Sequence, residues 1–314
     1  MNKILYTTSS FGKTNKEPIE IIKKHGYELI DNPYTQKLTE DEVCSLIKEY
    51  RPVGILAGLE PLTESVLEEA KQHLKVISRV GVGWDNVDID AAKRIGIKVF
   101  KTENAVTPAV VELTVGLFFT LARHICCHNN LVRKGQWQRI MGTLLQGKTL
   151  GIIGCGRIGK GVALTMKSLG CNILVYDLYP DKEWLSSNQI ALAENLEELV
   201  CSADLLSIHA SLTTGNKHLF DMKLFSLAKS NLLIVNTSRG EIIDEVALIQ
   251  ALKEKKIAGA ALDVFEHEPY TGELIEFENV VLTPHIGSYA EEVRLQMEKD
   301  AVLNLLKGLG EMHS

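Results

Sequence analysis

One stretch constrains the fold of this chain more than any other. Residues 149–153, Thr-Leu-Gly-Ile-Ile, form a nearly continuous apolar run, the pattern of a strand buried on both faces of a parallel sheet. The run enters Gly154-Cys155-Gly156-Arg157-Ile158-Gly159, and a helical pattern follows from Lys160 to Leu169, with Gly170 placed to end it. In this G-x-G-x-x-G spacing, Gly154 permits a tight turn, Gly156 lets a pyrophosphate approach the backbone, and Gly159 lets helix and strand pack closely. Unpaired N–H groups and the dipole at the helix start favour phosphate. A second strand, residues 172–176, ends in Asp177, where a carboxylate accepts hydrogen bonds from adenosine ribose hydroxyls. Leu178-Tyr179-Pro180 bring no basic residue. A 2′-phosphate would meet repulsion there, so NAD is expected over NADP.

The rest of the chain alternates in the same manner. Before the loop, β-rich runs at 3–8, 27–31, 53–57, 75–80 and 98–101 are separated by helix-like segments at 17–25, 39–50 and 63–73. Thr39 and Glu42 have capping-box spacing, and Asp88 and Asp90 open a helix running to Gly96. A single long helix is expected from Pro108 to Gly135. Further strands are expected at 205–208, 231–236, 258–264 and 280–283, with a last helix over 289–309. The 314 residues suit about two domains, both parallel α/β. Periodicity leaves open whether they follow one another or the last helix returns to the first block.

Charge and composition exclude several classes. The balance of 34 basic and 40 acidic residues gives a net charge of −6, the wrong sign for a general nucleic-acid binder. The longest apolar stretch, Leu113 to Ala122, is bounded by Glu112 and Arg123, short of the roughly 18 residues of a membrane span. Six cysteines without a C-x-x-C pair indicate a reduced, cytoplasmic chain. His124 and His128 flank Cys126 and Cys127, but the Glu of an H-E-x-x-H site is missing, so packing is expected there and no metal. Trp84 and Trp137 are expected in packing or interfaces, and His209 and His218 in local hydrogen bonds.

Three later segments place reactive side chains at strand ends. The run 231–236 leads to Arg239, 258–264 carries Asp263 and leads to Glu268, and 280–283 leads to His285. In a doubly wound sheet, ligands bind beyond the carboxyl ends of the strands. An Arg suits the carboxylate and carbonyl of a 2-keto acid. A His suits proton donation to the carbonyl oxygen. A Glu suits orientation of that ring.

These residues resemble the D-isomer-specific 2-hydroxyacid dehydrogenase family, nearest its D-3-phosphoglycerate dehydrogenase branch. The resemblance rests on Ser78-Arg-Val-Gly-Val-Gly-Trp-Asp-Asn-Val-Asp88, Glu112 to Leu117, Trp137 to Gly142, Gly147 to Gly159, Val235 to Gly240, Ala261 to Pro269 and Thr283 to Ser288. It implies a Rossmann NAD-binding domain, 103–285, inserted in a flavodoxin-like substrate domain, 1–102 plus 286–314. It implies Arg239, Glu268 and His285 as catalytic residues. For the cofactor it implies Gly154, Gly156, Arg157, Ile158, Gly159, Asp177, Ala210, Thr237, Ser238, Asp263 and Gly287, with Arg239 and His285. For the substrate it implies Arg79, Val82 and Gly83 beside Arg239. It further implies a homodimer around the helix and arm after Pro108, and a 2-hydroxy or 2-keto acid substrate, foremost 3-phosphoglycerate. The alternatives are hydroxypyruvate or glyoxylate, and a non-catalytic NAD-sensing corepressor.

The chain departs from the family pattern twice. The run after the fourth coenzyme-domain strand is His209-Ala-Ser-Leu-Thr-Thr-Gly-Asn216, where the family often has H-x-P-L-T-x-x-T. The loop Ala57-Gly58-Leu59-Glu60 lacks the basic residue of phosphoglycerate enzymes, and Glu60 is expected to repel a phosphate. Glu268 in place of Gln argues against formate.

Overall fold

The structure, a computed structural model, describes residues 1–8, 11–34, 37–102 and 105–311. The chain divides into two compact units: Met1–Val106 with the segment from Ser288 onward, and Thr107–Gly287.

The first unit alternates strand and helix: β1 (Lys3–Tyr6), α1 (Glu17–Lys24), β2 (Glu28–Ile30), α2 (Glu40–Tyr50), β3 (Gly54–Ala57), α3 (Glu64–Ala70), β4 (Val76–Arg79), α4 (Ile89–Ile95) and β5 (Lys98–Lys101). All neighbouring strands pair in parallel, in the order β2-β1-β3-β4-β5. That is the flavodoxin-like order, with its switch point between β1 and β3. Helix starts follow their side chains. Thr39 makes the full capping box with Glu42, and Asp88 accepts the Ala91 N–H at 2.8 Å. Such caps contribute about 1 kcal/mol each.

The second unit comprises α5 (Thr107–Ala122), α6 (Ile125–Arg133), β6 (Thr149–Ile153), α7 (Arg157–Ser168), β7 (Asn172–Tyr176), α8 (Lys182–Ser187), β8 (Ala191–Leu192), α9 (Leu196–Ser202), β9 (Leu205–Ile208), α10 (Met222–Leu227), β10 (Leu233–Asn236), α11 (Glu245–Lys253), β11 (Gly259–Leu262) and β12 (Val280–Leu282). Its parallel sheet runs β12-β11-β10-β9-β6-β7-β8, the Rossmann order with a seventh strand at one edge. Strands β9 and β10 are buried along their whole length, as parallel strands covered on both faces must be. The two-residue β8 escaped the sequence pattern because it is too short to show a period.

The last helix, α12 (Glu291–Leu309), belongs to the first unit. Met297, Ala301, Val302, Leu305 and Leu306 make its buried stripe, the i, i+4, i+8 spacing of a core-facing helix. It packs on β3, β4 and β5. Glycines permit the close approach: a Cβ at Gly54 would lie 3.0 Å from Leu305, and one at Gly308 would lie 2.8 Å from Val76. Periodicity left the placement of this helix open because the stripe shows that a face is buried, not which sheet covers it.

Two expectations shift. The unit boundaries fall at 106/107 and 287/288 rather than 102/103 and 285/286. The Thr102 N–H is held by the Gly81 carbonyl at 3.0 Å, while the Ile286 and Gly287 N–H groups are held by Asp263. The single long helix is broken into α5 and α6, bent by 62°, with His124 at φ 49°. The returning chain causes the break. The Thr143 N–H takes the Ala122 carbonyl at 2.8 Å, an oxygen that a continuing helix would have given to residue 126. No single helix among the described residues is long and apolar enough to cross a membrane.

Candidate active site and dinucleotide loop

The glycine loop leaves β6 at the switch point of the second sheet, between β6 and β9. Gly154 has φ 88°, and a Cβ there would lie 2.6 Å from the Ala210 nitrogen at the end of β9. A Cβ on Gly159 would lie 2.2 Å from the Gly154 carbonyl. Both positions therefore exclude any side chain. At Gly156 nothing lies within 4 Å of the same added atom, so the backbone is open to a close-lying group. Helix α7 starts at the next residue without a side-chain cap, leaving its first N–H groups to a ligand. Arg157 is exposed and Ile158 half-buried beside it.

Asp177 faces this loop from the end of β7. Its Oδ2 accepts the Cys155 N–H at 2.6 Å, and its Oδ1 accepts the Tyr179 N–H at 2.8 Å. Each oxygen keeps a lone pair for a further donor. Lys160 pairs with Asp181 at 2.6 Å, and its hydrogen bond, with that of the Trp184 N–H, holds the Asp181 carboxyl below the usual range. The loop and its acidic neighbour fit the diphosphate and adenosine ribose of NAD.

The strands β10, β11 and β12 lie side by side and release Arg239, Glu268 and His285 at the same edge. Asn236 builds the first turn. Its Oδ1 accepts the Ser238 N–H and hydroxyl, each at 3.0 Å, and its Nδ2 donates to the Arg239 carbonyl at 2.9 Å. The Arg239 Nη1 donates to the Ser238 carbonyl at 2.7 Å. Thr237 and the buried Thr114 of α5 share a 3.0 Å hydrogen bond. Gly240 lets this turn touch the next segment, since a Cβ there would lie 2.0 Å from the Phe265 carbonyl carbon.

Glu268 then meets His285. The imidazole Nδ1 lies 2.9 Å from Oε2 and 3.2 Å from Oε1. A carboxylate only accepts, so Nδ1 carries the proton and Nε2 is the ring's other working atom. Glu268 Oε1 also accepts the Phe265 N–H at 3.2 Å. His285 sits at φ 54°, and Asp263 holds that turn. The buried Asp263 carboxylate accepts the Thr283 hydroxyl at 2.6 Å and the Ile286 and Gly287 N–H groups at 2.8 Å each. Burial pushes its carboxyl upward, against these hydrogen bonds and the nearby His285. Asn236, Thr114 and Thr283 were not singled out in the sequence. Their signal was a polar residue inside or just beyond a buried run.

In the first unit, Val82 and Gly83 are half-buried in the loop after β4. Arg79 is only 5% exposed. Its Nη1 donates to the Val80 carbonyl at 2.6 Å and lies 2.3 Å from where a Gly81 Cβ would be. The guanidinium thus underlies the loop. Glu60 is 1% exposed and turned inward onto Thr7 and Gly58, so the expected repulsion of a phosphate loses its source. Trp84 carries the Lys101 ammonium 4.2 Å from its ring centre, while Trp137 is exposed.

Among the described residues no group of three or more His, Cys, Asp or Glu side chains is arranged to hold a metal ion. His128 instead accepts the Ile140 N–H at 2.9 Å. His209, at the end of β9, shares a 2.7 Å hydrogen bond with Ser207 through Nε2, while its buried Nδ1 has no hydrogen-bond partner among the described residues. Desolvation pushes its pKa down to about 3. The unfolded chain therefore binds a proton below about pH 6.5 that the folded chain refuses. Stability is expected to fall by up to about 1.4 kcal/mol per unit as pH drops from 6.5 toward 3. Urea unfolding of His209→Gln should show that much less acid sensitivity. Equal slopes in both proteins would contradict the burial argument.

Residues 115–287 match the family model of the D-isomer specific 2-hydroxyacid dehydrogenase NAD binding domain. The chain is 42% identical over 260 residues to a D-3-phosphoglycerate dehydrogenase of Methanocaldococcus jannaschii, covering 82% of this chain and 49% of that one. It thus spans about half the length of that relative. It is 35% identical over 302 residues to a hydroxypyruvate reductase of Thermotoga maritima, covering 94% and 93%. The crystal structure of a glyoxylate reductase from Paecilomyes thermophila superposes with a TM-score of 0.86 at 27% identity, covering 100% and 97%. A glycine loop fitted to NAD, a parallel sheet in Rossmann order and these similarities have one common explanation: the chain belongs to the D-isomer specific 2-hydroxyacid dehydrogenase family, NAD-dependent oxidoreductases acting on the CH–OH group of their donors.

Proposed function

We propose that this chain interconverts a small, unphosphorylated 2-keto acid and its D-2-hydroxy acid, with hydroxypyruvate or glyoxylate as the keto form. Bound NAD supplies the hydride acceptor, or as NADH the donor. Gly154, Gly156, Arg157, Ile158 and Gly159 hold its diphosphate, and Asp177 its ribose. Ala210, Thr237, Ser238, Asp263 and Gly287 line its nicotinamide end. Arg239 holds the acid's carboxylate and carbonyl with its planar fork. In the first unit, the backbone of Val82 and Gly83 is read as a carboxylate contact. His285 gives a proton from Nε2 to the carbonyl oxygen in reduction and takes it back in oxidation. Glu268 keeps the ring oriented and stabilises the imidazolium.

The observation that carries the chemistry is the 2.9 Å pairing of Glu268 with His285. The preference for an unphosphorylated acid rests on Arg79, which is buried beneath its own loop, and on the absence of a basic residue at 57–60. The hydroxypyruvate reductase relative, matched over nearly its full length, is in keeping with it. Phosphohydroxypyruvate is the second reading, favoured by the 42% identity to a phosphoglycerate dehydrogenase. NADH oxidation with hydroxypyruvate, glyoxylate and 3-phosphohydroxypyruvate side by side decides between them. At least a tenfold higher kcat/KM for an unphosphorylated acid is expected; the reverse order would overturn the preference.

A homodimer and a cytoplasmic location complete this reading. Ile125 and Val132 of α6, and Trp137, Met141 and Leu144 of the arm after it, are exposed apolar side chains, the composition of a surface that a second copy covers. The six cysteines are free thiols.

A further inference from the structure

The first unit contains a buried carboxyl that the proposed chemistry does not use. Glu60 lies at the switch point between β1 and β3, where open α/β sheets ordinarily receive a ligand. Its Oε1 accepts the Thr7 hydroxyl at 2.5 Å and the Gly58 N–H at 3.1 Å. Its backbone carbonyl accepts Asn86 Nδ2 at 2.6 Å, and the same amide group reaches the Gly58 carbonyl at 3.3 Å. Asn86 Oδ1 in turn accepts the Arg79 Nε–H at 3.4 Å, and Arg79 Nη1 holds the Val80 carbonyl. Backbone contacts run alongside. The Leu62 N–H donates to the Asn86 carbonyl at 2.7 Å, and the Asp88 N–H to the Leu62 carbonyl at 3.0 Å. Side chain and backbone thus tie the loop after β3 to the loop after β4.

A buried carboxyl is costly unless its hydrogen bonds are made. Burial pushes this one upward, against the bond from Thr7 and the charge of Arg79. Glu60 is therefore specified by what it holds, because an apolar residue at that position would be cheaper to bury. We propose that Glu60 is a positioning residue for substrate: its carboxylate through Thr7 and Gly58, and its backbone carbonyl through Asn86 and from there Arg79, set the Val80–Gly83 backbone that receives the acid's carboxylate. The proposal rests on the reading of Val82 and Gly83 as carboxylate contacts.

The test uses the full chain with Glu60→Ala, Glu60→Gln and, on the rim of the network, Asn86→Ala. Amide hydrogen exchange over residues 80–87 and steady-state kinetics with hydroxypyruvate and NADH are read together, or with whichever keto acid proves active. Glu60→Ala is expected to speed exchange at least tenfold and to raise KM for the keto acid ten- to hundredfold. Its kcat and its KM for NADH should stay within twofold. Glu60→Gln keeps an acceptor oxygen and should stay within threefold of the parent in KM. Asn86→Ala should reproduce the KM-only effect if Glu60→Ala does not fold. Unchanged exchange would overturn the role of Glu60 itself. Faster exchange with an unchanged keto-acid KM would overturn the proposal through the reading of the 80–83 loop. A parallel rise in KM for NADH would reduce Glu60 to a general structural part.

Discussion

His285→Asn is expected to lower kcat/KM for the keto acid by about 10²- to 10⁴-fold, the usual worth of a positioned general acid. That is about 3–5 kcal/mol of transition-state stabilisation. Asn is polar and near in size, but it has no ionisable proton to give. Affinity for NADH, read by quenching or calorimetry, should change less than threefold, because the proposed contacts to the far end of the cofactor, the glycine loop and Asp177, are left intact. Glu268→Gln should fall between parent and His285→Asn. Gln keeps an oxygen facing Nδ1 but loses the negative charge that stabilises the imidazolium. Full activity of His285→Asn would remove the proton-transfer role from this ring.

Arg239→Ala is expected to cost about 10³-fold in kcat/KM, on the scale of removing a charge-assisted contact that strengthens in the transition state. Arg239→Lys restores the charge but not the planar two-pronged fork, so it should recover only part of the loss. Neither change should alter NADH affinity more than a few-fold. The turn that carries Arg239 is held by Asn236 through Ser238 and the Arg239 carbonyl, none of which needs the guanidinium. Thermal midpoints close to the parent's would separate this loss from misfolding. Turnover that survives Arg239→Ala would place carboxylate recognition elsewhere.

The local chemistry of the chain was open to reading residue by residue. Gly154 and Gly159 announced a strand, a turn and a helix because no other residue tolerates the contacts made there, and Gly156 kept the backbone between them open. The Thr39 and Asp88 caps were readable because a cap is settled within four residues. The pairing of Glu268 with His285 was an inference from two strand ends. Parallel packing of β11 against β12 is what brings the 2.9 Å contact about.

Other features depended on distant parts of the chain. The bend after Ala122 escaped notice because its cause, the Thr143 N–H, lies 21 residues further on. Glu60 read as a carboxylate that repels phosphate because its neighbours in sequence are ordinary loop residues. Its partners are Thr7 on β1's exit and Asn86 beyond β4. The docking of α12 was equally open, since an apolar stripe says that a face is buried and leaves the partner unspecified. Sequence alone therefore determined most of the elements, the dinucleotide loop and the candidate reactive side chains, all of which depend on short-range sterics and hydrogen bonding. Tertiary structure alone decided which way Glu60 and Arg79 face, where the long helix breaks and which sheet receives the last helix, because each depends on a contact between residues far apart in the chain.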